Sequence, residues 1–106
     1  MKSLGLAVLL STSLAAFAQD ADFALTIKDH KFSPDRIEIP AGKKVKLVVD
    51  NQDATPEEFE SGTMKIEKVI PGKSKATIYV GPLKAGEYTF VGEFNEKTAK
   101  GVVVAK

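Results

Sequence analysis

The stretch PEEFES packs three acids, Glu57, Glu58 and Glu60, into four positions, and a further acid, Glu93, follows directly on Gly92. The chain has a single histidine, His30, and no cysteine. These are the side chains whose chemistry could hold an ion. One imidazole and two or three carboxylates suit Cu(II), Fe(II) or Fe(III), because hard oxygen and borderline nitrogen donors match those ions better than they match Cu(I). Carboxylates in close company repel one another, and a cation would relieve that repulsion. Such binding weakens at acid pH, since the ligands must first lose their protons.

Each candidate also has a plainer role. His30 lies between Asp29 and Lys31 just after an expected strand, where a solvated turn position competes with a ligand role. Glu58 and Glu60 share one face of a strand with Phe59 on the other. Glu57 competes with Glu58, because a one-residue slip sends every side chain to the opposite face; Glu58 is the favoured ligand. Glu93 is either a ligand or a loop charge. Glu96 and Asp53 are expected to face solvent. Met64 is read as a core gap-filler ahead of an axial thioether. Phe32, Phe90 and Phe94 are read as core or as a hydrophobic surround, with no basic groove beside them to make a base-stacking platform.

Several chemistries are excluded. Without cysteine there is no thiol nucleophile, zinc-thiolate site or iron-sulfur cluster, and no disulfide framework. No G-x-S-x-G nucleophile motif and no glycine-rich phosphate loop is present. A paired-carboxylate hydrolase built from Glu58 and Glu93 would have little cleft in so small a domain.

The elements that must position these residues are short and alternating. FALTIK places Phe23, Leu25 and Ile27 on one face, RIEI places Ile37 and Ile39, and KVKLVVD places Val45, Leu47 and Val49. IEKVI, KATIYV, EYTFV and GVVVA follow, separated by the turn signals SPD, PAGK, PGK and GPLKAG. Seven or eight short strands at this spacing predict an all-β, antiparallel sandwich. Two segments interrupt the pattern: the polar run Asn51 to Lys65, and the loop after EYTFV. In a sandwich such loops gather at the ends, where binding residues tend to lie. There is no convincing helical window.

The first 18 residues are read apart from this domain. Lys2, the apolar run LGLAVLL and the small-x-small pattern at Ala16 to Ala18 form a cleavable secretory signal, too short to span a bilayer. The domain is then 19–106. Removing Lys2 from 15 basic residues leaves 14 against 14 acidic ones, so bulk charge recommends neither nucleic acid nor an acidic membrane.

The order FSPDRIEIPAGKKVKLVVDN, PGK, LKAGEYTF and AKGVVV resembles the cupredoxin-like family over nearly all of the chain after the signal. The resemblance implies a cupredoxin-like Greek-key sandwich. Electron-carrying members hold copper with two His, a Cys and often a Met, the Cys after the penultimate strand. Here that position reads Gly92, the loop beyond it has no His, and the Met-x-Gly that usually closes it reads Ala99-Lys100-Gly101. A thiolate electron-transfer centre is thereby excluded. The E-F-E of Glu58 to Glu60, with DHKFSP, PLKAGEY and GEFN, is similar to the small periplasmic cupredoxin-like proteins that accompany bacterial high-affinity iron permeases. That similarity implies a periplasmic protein binding copper or iron in support of iron import, with an iron permease and a periplasmic iron-binding protein as partners and iron oxidation as an accompanying activity.

In such a fold the loop of His30 reaches the same end as Glu58 and Glu93. The expected site is therefore His30, Glu58, Glu93 and Glu60 around copper or iron. The alternative, from another class, is a metal-free sandwich that docks on a membrane permease or a periplasmic partner. Neither reading makes it an integral membrane protein.

Overall fold

The computed structural model describes residues 22–106, so the expected secretory signal lies outside the described residues. Nine strands follow in chain order: β1 Phe23–Lys28, β2 Lys31–Ser33, β3 Arg36–Ile39, β4 Val45–Asn51, β5 Glu57–Ser61, β6 Ile66–Ile70, β7 Ser74–Val80, β8 Gly86–Gly92 and β9 Lys100–Ala105. The helical content of the described residues is one 3-10 turn, Glu93–Asn95. No helix among them is long and apolar enough to cross a membrane.

The strands form two sheets, one ordered β2-β1-β4-β7 and the other β3-β9-β8-β5-β6. The expected all-β sandwich is present, with nine strands where seven or eight were expected and with two further differences. Strand pairing is not wholly antiparallel: β1 runs parallel to β4, and β3 parallel to β9. The polar run Asn51 to Lys65 is also not all loop, because PEEFES supplies β5, which pairs with both β6 and β8. Its alternation is strict, with Glu57, Phe59 and Ser61 buried and Glu58 and Glu60 half-buried. This strand is an inner one of its sheet.

The core lies between the sheets. Leu25, Ile27, Leu47 and Val49 from one sheet meet Phe59, Ile70, Phe90 and Val103 from the other, all at most 1% exposed. Burying a side chain of this size contributes roughly 1.5–3 kcal/mol, and in this cysteine-free domain such packing replaces disulfides as the source of stability. Beneath the end that carries the acids, Phe59 stacks on Phe90 with centroids 4.8 Å apart, and Phe32 meets both rings edge-on at 6.0 and 5.0 Å. Edge-on and offset contacts bring the positive ring edge to the negative face. This aromatic cluster is the floor under the candidate site. Met64 packs against the core as expected, but Phe94 does not: it is 54% exposed.

Candidate metal site at one pole of the sandwich

The β5 register decides which acid faces which way. In an antiparallel ladder successive side chains alternate faces, and Phe59 must point inward to join the aromatic cluster. Glu57 therefore points inward and is 1% exposed, while Glu58 and Glu60 face outward. Across the ladder Glu60 stands opposite Glu67 of β6, and Phe59 opposite Gly92 of β8. Glu93, one residue beyond Gly92, thus comes beside Glu58.

The result is a carboxylate cluster on the outer face. One ligand oxygen each from Glu58, Glu67 and Glu93 lie within 4.8 Å of one another. That is the span of oxygens bound to a single cation, about 4–5 Å for ligands on opposite sides of an ion with bonds of 2.0–2.6 Å. None of these three residues, nor Glu60, has a lysine or arginine within 4 Å in any salt bridge of the described residues, which join His30 to Asp53 and both Arg36 and Lys106 to Glu38. The crowding shows in proton affinity. The Glu58 carboxyl is pushed up to about 7, first by a hydrogen bond shared with Glu93, then by desolvation and by the charges of Glu93, Glu67 and Glu60. Glu60 is raised by desolvation, by a hydrogen bond with Glu67 and by the charge of Glu93.

His30 stands outside this three-carboxylate group. It lies in the two-residue turn between β1 and β2, where Asp29 and His30 both take positive φ, 53° and 59°. That is the mirror-image turn whose twist suits a tight hairpin, and it is disfavoured for residues with a Cβ. Asp53 compensates. Its Oδ1 accepts the Asp29 N–H at 2.8 Å, its Oδ2 accepts the His30 N–H at 3.0 Å, and Oδ2 also lies 3.5 Å from His30 Nδ1. Asp53 is thus not the solvent-facing charge expected from sequence, because its side chain is only 15% exposed. Desolvation raises its pKa, but the two backbone N–H bonds and the nearby charges of His30 and Lys73 outweigh this and hold it below the usual carboxylate value. Asn51 steadies the same loop: its Nδ2 donates to Thr55 O and Ile70 O, and its Oδ1 accepts the Asp53 N–H. The histidine shares an open groove of about 530 Å³ with Glu93, Phe94, Asn95 and Glu96. Glu93 is therefore the residue common to the cluster and to the histidine's groove. Of the four expected ligands, Glu58, Glu60 and Glu93 neighbour one another and His30 lies to one side.

The interior of this pole is filled by protein. Glu57 Oε1 accepts N–H groups from Phe94 at 2.8 Å and Glu58 at 2.9 Å, and Oε2 accepts Asn95 Nδ2 at 2.8 Å. No buried side-chain polar atom among the described residues lacks a partner. A Cβ built on Gly92 would lie 2.6 Å from Glu57 Cδ and 2.7 Å from Ala99 Cβ. A thiolate at position 92 together with a copper ion does not fit this arrangement. The outer cluster, open and made of oxygen donors, fits a hard or borderline cation.

Glu67 and Asn95 were not among the expected site residues, and Asp53 was expected only to face solvent. Glu67 was within reach: once β5 and β6 are paired as a hairpin with Ser61 opposite Ile66, Glu60 must face Glu67.

The profile of the cupredoxin-like domain matches residues 3–105. The chain belongs to the cupredoxin-like domain family. It is 41% identical over 80 residues to the uncharacterized protein RP394 of Rickettsia prowazekii (strain Madrid E), a match covering 76% of this chain and 64% of that relative. Among solved structures, amicyanin from Paracoccus versutus superposes with a TM-score of 0.65 at 15% identity, covering 83% of each chain. A purple cupredoxin from Nitrosopumilus maritimus superposes with a TM-score of 0.60 at 19% identity, covering 80% of this chain and all of the other. At such identities the likeness is one of fold. The cupredoxin-like domain here carries its family's sandwich with Glu57, Gly92 and Asn95 at the interior of the pole.

Proposed function

We propose that this is an exported, periplasmic cupredoxin-like protein that holds copper or iron on its outer carboxylate cluster in support of iron uptake, without acting as a thiolate-copper electron carrier. The observation that carries the reading is the convergence of Glu58, Glu67 and Glu93 within 4.8 Å, with no lysine or arginine among the described residues paired to them. Unneutralised carboxylates on a sheet face oppose folding unless something positive joins them. Glu60 adds a fourth acid, and His30 is the one imidazole near enough to share a groove with Glu93. Copper as the ion is supported by the family and by relatives such as an amicyanin solved in its Cu(I) form. Iron is supported by the oxygen-rich donor set and by the resemblance of the E-F-E motif to iron-permease companions.

Calorimetric titration with Cu(II), Fe(II) and Fe(III) tests the reading. Binding well below about millimolar, weakened in Glu58→Ala, is expected. Failure of every ion to bind in that range, with Glu58→Ala indistinguishable, rejects it. A second reading, a metal-free interaction module for a permease or periplasmic partner, is favoured by one observation: Phe94 stands 54% exposed at the rim of the pole. Recovery of a membrane partner by the wild-type protein and not by Phe94→Ser, with no ion bound, would select it.

A further inference from the structure

Two of the three donors to the Glu57 carboxylate, the Phe94 N–H and the Asn95 amide, belong to the 3-10 turn that opens with Glu93. A turn of three residues has no stability of its own, and Gly92, which precedes it, offers no side-chain cap. Its base is closed by Gly92 N–H to Ala99 O at 2.9 Å, and its far end by Ala99 N–H to Asn95 O at 2.8 Å. Besides the β-ladder and the carboxyl contact of Glu58 with Glu93, the hydrogen bonds that join this turn to β5 are those to Glu57. The next residue along β5, Glu58, points to the opposite side of the sheet, beside Glu93. One dipeptide therefore carries both a grip on the turn from inside and a ligand outside.

We propose that Glu57 is the positioning residue of the outer carboxylate site: without touching the cation, it grips residues 93–95 from the interior and holds Glu93 against Glu58 and Glu67. The inference rests on the cation-binding reading. The bonding chemistry suits the task, since three N–H donors converge on Glu57 and a carboxylate is a pure acceptor. The absence of a side chain at Gly92 is part of the same unit, because a Cβ there would displace the carboxylate. A glutamate at 57 and a glycine at 92 together fix where Glu93 lies.

The test compares the wild-type protein with Glu57→Leu, which keeps the volume and removes every acceptor, and with Glu57→Gln. The Gln side chain retains an oxygen for the Phe94 N–H and can meet a turned-over Asn95 amide with its own. Cu(II) titration and amide hydrogen exchange at Phe94 are measured on each. In Glu57→Leu, Cu(II) affinity is expected to fall about tenfold or more, in the range seen when outer partners of metal ligands are lost, and Phe94 exchange to accelerate about tenfold or more, with Glu57→Gln restoring both toward wild type. Glu87→Gln, a carboxylate change at the other end of β8, is expected to alter neither. Wild-type affinity and wild-type Phe94 protection in Glu57→Leu would overturn the proposal, as would an equal loss in Glu87→Gln. Should Glu57→Leu not fold, Asn95→Ala, at a half-buried position, carries the same comparison. If the wild-type protein binds no Cu(II), the cation reading fails, and Phe94 exchange still decides whether Glu57 holds the turn.

Discussion

Gly92 and Glu57 occupy one space: a Cβ on Gly92 would lie 2.6 Å from both Cδ and Oε2 of the Glu57 side chain. The two residues come from neighbouring strands, with Gly92 opposite Phe59 in the ladder. Gly92→Ala should therefore destabilise the domain by about 1–3 kcal/mol, the usual cost of overfilling a packed interior. Combining it with Glu57→Ala should give less than the sum of the two single losses, by at least about 0.5 kcal/mol. Urea denaturation of the two single variants and the double variant measures this; strict additivity would show that the two residues do not share space.

The crowding of Glu58 sets the pH dependence of the ion-free protein. Its folded-state pKa is about 7 against an ordinary 4.5, so the folded form holds this proton more tightly than the unfolded chain does. Stability from this source is complete below about 4.5 and is lost as pH rises through about 7. Glu60 is shifted in the same direction. Urea midpoints with a chelator present should fall as pH rises across that window, and Glu58→Gln should flatten the fall. Cation affinity should run the other way and strengthen as pH rises through 7, because the proton on Glu58 competes with the ion.

Glu67 and His30 separate two placements of the ion. Glu67 belongs to the three-oxygen group and His30 does not. Glu67→Gln should weaken Cu(II) or Fe(II) binding about tenfold or more, while His30→Ala should cost less. Calorimetry on both variants checks the order, and a larger loss in His30→Ala would move the ion toward the groove shared by His30 and Glu93.

Asp53 holds the hairpin that carries His30. Asp53→Ala leaves the two N–H groups of a positive-φ turn without their acceptor. A loss of about 1–2 kcal/mol is expected, near the low end for bonds to a charged group because the turn is exposed. Because Asp53 is shifted below its ordinary 3.8, its contribution is present above that value and lost as pH falls through the depressed folded pKa. The difference between wild type and Asp53→Ala in thermal unfolding should therefore shrink in strong acid.

The sequence was enough to place the sandwich and its core. Period-two alternation in FALTIK, RIEI and KVKLVVD fixes which residues go inside, since a slip of one residue would expose the whole apolar set; the buried Leu25, Ile27, Leu47 and Val49 follow directly. It also determined that no thiolate centre could form, because the chain has no cysteine. Glu58, favoured over Glu57 as a ligand, shares the outer face with Glu60, since Phe59 and Glu57 point inward.

What those acids meet is set by long-range strand pairing. Glu67 joins Glu58 through pairing of β5 with β6, and Glu93 joins through pairing of β5 with β8, and neither partner can be read from its own local pattern. Asp53, polar and in a polar loop, looked solvated; its role depends on a hairpin 24 residues upstream. Phe94, read as core or hydrophobic surround, is 54% exposed, while its backbone N–H and the Asn95 side chain are bound to Glu57 from strand β5. Alternation is a local property of the backbone, whereas a site depends on which strands become neighbours, and that choice is made by the packing of the whole core.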